Sequence, residues 1–78
     1  MKVIIKILIT RPRTVELDIN DNFSIIDLKR KIFELYKINV LNENVLFNKI
    51  KKKDQEYIEI SSLINDYEII IVKNFSFV

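Results

Sequence analysis

The chain has 78 residues, 49% of them hydrophobic, and its 13 basic and 11 acidic residues leave a net charge of +2. That length allows one domain with a single core, and so balanced a charge does not by itself imply a nucleic-acid partner. With no cysteine, histidine or glycine, the composition excludes disulfides, His/Cys metal sites, His- or Cys-based catalysis and glycine-rich phosphate loops, so stability has to come from packing.

No apolar run approaches the roughly 18 residues of a membrane span. In "MKVIIKILIT" Lys6 interrupts the run and no small-residue cleavage site follows, which argues against a signal peptide. No linker, low-complexity tract or internal repeat divides the chain, so residues 1–78 read as a single domain. The crowding of Ile, Lys and Asn suits a eukaryotic source with an AT-rich genome, and no membrane contact is expected.

Along the chain, Met1, Val3, Ile5 and Ile7 alternate with Lys2, Ile4, Lys6 and Leu8, a period of two that predicts a strand. Pro12 in "TRPR" marks a turn. "TVELDIN" then alternates again, with Val15, Leu17 and Ile19 inward and Thr14, Glu16 and Asp18 toward water, so the two strands form a hairpin. Ser24 followed by Asp27 has the form of a capping box. Ile25, Leu28, Ile32 and Leu35 follow at helical spacing, with Lys29, Arg30 and Lys31 on the opposite side and its edges. Without a glycine at the C-terminal end, Lys37 or Asn39 has to take any left-handed position.

"ENVLFNKI" predicts a short strand and "KKKD" a charged turn. "QEYIEISSLIND" reads as a short strand or a helical turn within an ordered loop. "YEIIIVKNFSFV" reads as a last, central strand, apolar on both faces. The order strand, strand, helix, strand, short element, strand predicts an α+β fold. In it a mixed sheet clasps one helix, and the first and last strands pair in parallel at the centre.

In that order the chain resembles ubiquitin and its ubiquitin-like relatives. Met1–Lys6 is similar to the family's opening strand and Thr14–Ile19 to its second. Ser24–Ile32 is similar to its helix, Val45–Phe47 to its third strand and Ile69–Val72 to its last. The resemblance covers nearly the whole chain, with a longer first hairpin, and rests on joint spacing rather than on any one motif. It implies a ubiquitin-like β-grasp (β-β-α-β-β) with a core of Val15, Leu17, Ile19, Ile25, Leu28, Ile32, Val45, Ile58, Leu63, Ile69 and Ile71. Lys52 stands where the family has a large aliphatic residue, and Ile50 is expected to take that role through a local register shift. Asn39-Val40 replaces the Pro-Pro pair that follows the family's helix.

Conjugated members of the family finish on Arg-Gly-Gly, and a thin tail threads the activating enzyme. Phe77 and Val78, behind Asn74-Phe75-Ser76, are too bulky for such a channel, so the resemblance implies a non-conjugated member. It also implies a partner-binding patch of Leu46, Ile70 and Val72 with Leu8 or Ile9, since exposed apolar clusters mark interfaces. Set against this, and less favoured, "IIIV" reads as a central strand whose outer face Phe75 or Phe77 covers. Lys49, Lys51, Lys52 and Lys53 form a possible basic contact, although charged turns are usually solvated and no aromatic residues interleave for base stacking. Ser76-Phe77-Val78 has the Ser-x-aliphatic form that PDZ-type domains recognise, a match that arises easily by chance.

The expected function is a non-enzymatic, non-conjugated interaction module without a cofactor. It would dock protein partners of the ubiquitin–proteasome system or a related assembly in the cytoplasm, the nucleus or both. The alternatives are the N-terminal ubiquitin-like domain of a larger adaptor, and a nucleic-acid-associated module using the basic loop 49–53.

Overall fold

The β-branched alternation at both ends of the chain builds the sheet, and the 3.6-residue apolar period between them builds the helix that covers it. The computed structural model describes residues 1–74. Its elements are β1 (Lys2–Leu8), β2 (Arg13–Asp18), β3 (Phe23–Ser24), α1 (Ile25–Tyr36), β4 (Asn44–Phe47), β5 (Ile50–Lys52), β6 (Tyr57–Ile58), a 3₁₀ turn (Ile60–Leu63) and β7 (Ile69–Val72). The main sheet runs β2-β1-β7-β4-β5, and β3 pairs with β6 in a small second ribbon. β1 and β7 pair in parallel inside the sheet, with Ile7 opposite Ile71, while the other ladders are antiparallel. This is the α+β layout expected from the element order.

One face of the sheet is sealed by α1. Val3, Ile5 and Ile7 of β1, Val15 and Leu17 of β2, Val45 of β4, and Ile69 and Ile71 of β7 are buried with Ile25, Leu28 and Ile32 of the helix in one cluster. Ile19, Ile58 and Leu63, also expected inside, join it. The burial alternates strictly along β1 and β7, so among the described residues the opposite face of the sheet stays open.

Ser24 caps the helix: its Oγ accepts the Asp27 N–H at 3.2 Å. Among the described residues only this hydroxyl arm of the expected capping box forms. The preceding amides donate elsewhere, Ile25 N–H to Glu56 O (2.9 Å) and Ile26 N–H to Asp54 O (3.0 Å). The first free N–H groups of the helix therefore tie it to the loop before β6. At the other end Lys37 takes the left-handed position (φ 59°) and donates to Phe33 O, as the missing glycine required.

The structure corrects four expectations. Leu35 is exposed, because a 12-residue helix that buries Ile25, Leu28 and Ile32 turns Leu35 away and lays Tyr36 against the core instead. Lys29 is buried rather than solvated, since its ammonium reaches Asp54 at 2.7 Å and Leu41 O at 3.1 Å. "ENVLFNKI" is a strand only as far as Phe47, and the hairpin turn precedes "KKKD" rather than lying in it. Phe47 pairs with Ile50 across a two-residue turn, Asn48-Lys49, and Lys51 and Lys52 belong to β5. Both turn residues have positive φ (49° and 70°), as the hairpin turns that match strand twist demand. Finally, Ile50 does not replace Lys52 in the core. Ile50 is 63% exposed at the sheet edge, and no register shift occurs because Lys52 itself stands opposite the buried Val45. "QEYIEISSLIND" resolves into both of its readings, β6 followed by the 3₁₀ turn.

Candidate docking face

Cross-strand partners share a face of the sheet, so the register decides which side chains meet on the open side. Leu46 lies opposite Ile70, Ile70 beside Lys6, and Lys6 opposite Thr14. On the far side of Leu46 stands Lys51. The row Lys51–Leu46–Ile70–Lys6 is thus an apolar pair with a lysine at each end. In the adjacent row Val72 lies between Asn44 and Leu8. Leu46, Ile70 and Val72 are partly exposed and Leu8 is 43% exposed. Four of the five residues expected in the patch are therefore brought together.

Ile9 is the fifth, and it does not join them. It lies one residue past Leu8, packs against the core, and lines a cleft with Ile7, Ile38 and Arg11. The opposite orientation of successive strand residues decides the choice in favour of Leu8.

Two features of this face went unnoticed in the sequence. One is the lysine rim, Lys6 and Lys51, which becomes visible only when β1, β7, β4 and β5 are placed side by side. The other is Ile4, 41% exposed on the same face. Its N–H donates to the Tyr67 hydroxyl at 3.1 Å, which extends the ladder where β7 has not yet begun. Period-two alternation put Ile4 with Lys2, Lys6 and Leu8, so the signal for its orientation was present.

The basic cluster 49–53 is split by the hairpin. Lys49 sits in the turn, Lys51 faces the open side, and Lys52 faces the helix side. The Lys52 ammonium is 3.6 Å from the Glu56 carboxylate. The Lys53 N–H donates to the same carboxylate at 3.0 Å while the Glu56 N–H returns to Lys53 O. The Lys53 amide first, and the Lys52 charge after it, hold the Glu56 carboxyl below its usual 4.5. Glu56 thus draws two members of the cluster into a local turn rather than leaving four lysines on one surface. Covering of the patch by Phe75 or Phe77, and the Ser76-Phe77-Val78 motif, lie outside the described residues.

No family model and no curated protein matches the chain. Solved structures do match. A protein designed de novo on ubiquitin is 20% identical, covering 96% of this chain and 92% of its own, with a TM-score of 0.70. The UBL domain of Plasmodium falciparum Dsk2 is 19% identical over 95% of this chain and 100% of its own, with a TM-score of 0.68. A ubiquitin-like protein from Trypanosoma brucei is 16% identical over 95% of this chain and 96% of its own, with a TM-score of 0.56. The fold is that of a ubiquitin-like β-grasp, with at least 95% of this chain covered in each of these comparisons.

Proposed function

We propose that the chain is a ubiquitin-like protein-interaction module, not an enzyme, and that it docks its partner on the open sheet face through Leu8, Leu46, Ile70 and Val72. The observation that carries this reading is the pairing of Leu46 with Ile70 and of Val72 with Leu8 on the face α1 leaves uncovered. Removing such apolar area from water drives association, and clusters of this kind on a folded surface mark interfaces. Lys6 and Lys51 at the two ends of the central row add a direction. The matching partner is an amphipathic helix or loop with an aliphatic ridge between acidic side chains. Charge at the rim mainly sets encounter rate and register, and the apolar pair supplies most of the affinity. The contact is small, so binding is weak.

The resemblance to ubiquitin-like chains supports a partner in the ubiquitin–proteasome system or a related assembly, met in the cytoplasm or nucleus. The likeness to a UBL domain supports a second reading, in which this module heads a larger adaptor. The mass of the endogenous protein separates a free module from an adaptor. The nucleic-acid alternative lacks a coherent basic face, given that the hairpin turns Lys51 and Lys52 to opposite sides of the sheet and Glu56 pairs with the Lys52 ammonium.

The test is capture from a eukaryotic lysate by the wild-type chain and by a Leu46→Asp, Val72→Asp variant shown to fold. Partners retained by the wild type and lost by the variant uphold the reading and identify the pathway. Identical partner sets refute it.

A further inference from the structure

β2 is an edge strand of the main sheet, and an edge strand offers a row of unpaired N–H and C=O groups to any other extended chain. Which groups of β2 point outward follows from the ladder. The Ile19 N–H donates to Met1 O at 2.8 Å, so the odd-numbered residues of β2 bond to β1 and Thr14, Glu16 and Asp18 face away from it. Two side chains of α1 reach over and take those groups. The Tyr36 hydroxyl donates to Glu16 O at 2.5 Å and accepts from the Glu16 N–H at 3.2 Å. Lys31 Nζ donates to Asp18 O at 3.2 Å.

Tyr36 is the last residue of the helix, held in place from both sides. Its ring packs against the core, and the Arg13 guanidinium stands 6.0 Å from the ring centroid, within cation–π range. One hydroxyl therefore satisfies both the donor and the acceptor that an incoming strand would need at the middle of β2.

We infer that Tyr36 is a latch on the free edge of the sheet: its hydroxyl occupies the backbone of Glu16 and so keeps β2 from adding a strand. The inference is independent of the docking face, which lies on other strands and uses other residues. Beside the latch, the open-face side chains Glu16 and Asp18 are both acidic. Glu16 stands 3.8 Å from the Lys2 ammonium and Asp18 3.1 Å from the N-terminal ammonium, so their charge is partly engaged. The remainder disfavours self-pairing of two β2 edges, where like charges would stand opposite one another, and weakly favours a basic extended segment.

Tyr36→Phe tests the latch because it keeps the ring, its packing and the Arg13 contact while removing only the hydroxyl. The probe is an end-capped peptide of alternating valine and lysine, titrated into ¹⁵N-labelled protein and followed at the Thr14 and Asp18 amides, which face the same edge and are present in every variant. Unchanged amide exchange at Val3 and Ile5 establishes that the variant is folded. The peptide is expected to bind Tyr36→Phe about ten-fold tighter than wild type, the size of one net hydrogen bond no longer competed for. Adding Glu16→Pro, tolerated on the outer side of an edge strand, is expected to abolish that gain. Equal affinity for wild type and Tyr36→Phe, or a gain that survives Glu16→Pro, would overturn the latch.

Discussion

The ammonium of Lys29 lies 2.7 Å from the Asp54 carboxylate, with the lysine side chain only 5% exposed and the aspartate about half exposed. With Leu41 O as its second acceptor, this ion pair joins the middle of α1 to the loops on either side of the β4–β5 hairpin. A buried charge is costly mainly when it loses its partner. Asp54→Ala is therefore expected to cost about 3 kcal/mol, because it strands the lysine charge. Lys29→Met, which removes the charge and keeps the stem, should cost no more than about 1 kcal/mol. Urea denaturation of the two variants checks the asymmetry, and equal costs would contradict it.

The absence of glycine leaves two lysines in left-handed backbone, Lys37 at the helix end and Lys49 in the hairpin turn. Each strains its Cβ against the chain, by roughly 1 kcal/mol. Lys37→Gly and Lys49→Gly are each expected to stabilise the fold by about 0.5–1 kcal/mol, and the two should add because the sites share no contacts. Thermal or urea unfolding of the single and double variants measures both.

Acid should weaken the turn at residues 53–56. The folded state holds the Glu56 carboxyl below its usual 4.5, so the folded chain binds this proton less readily than the unfolded one. The resulting stabilisation is fully present above pH 4.5 and is lost as pH falls through the lowered folded value. In a Glu56→Gln variant that pH-dependent increment disappears. NMR titration of the Glu56 side chain should give a midpoint below 4.5, and a midpoint above it would contradict the assignment.

Neighbouring residues of β7 should respond oppositely. Ile71→Ala, in the sealed core, is expected to cost about 3 kcal/mol. Ile70→Thr keeps a β-branched side chain on the open face and should cost under about 1 kcal/mol, while weakening partner capture. A large loss of stability from Ile70→Thr would mean that this face is covered.

Much of the fold was legible because β1, β2 and α1 have clean periodicities: Val3, Ile5, Val15, Leu17, Leu28 and Ile32 all lie where period two or 3.6 put them. Short elements were less legible. Asn48-Lys49 carries no glycine to announce a tight turn, so β4 and β5 merged into one apparent strand. Lys29 looked solvated because burial of a lysine depends on Asp54, a partner 25 positions away. For the docking face, Leu46, Ile70 and Val72 came from the resemblance, while the choice of Leu8 over Ile9 and the rim of Lys6 and Lys51 required the register. Tyr36 was invisible as a latch for the same reason: its target is the backbone of a distant strand, and backbone groups leave no mark in a sequence.

Mapping the bound partner onto the folded chain tests the central claim most directly. A captured partner, titrated into ¹⁵N-labelled protein, should shift the amides of Lys6–Leu8, Val45–Phe47 and Ile69–Lys73 most, with Lys51 at the border. Shifts concentrated in α1 or in the turn at Asn48-Lys49, with β7 unmoved, would contradict docking on the open face.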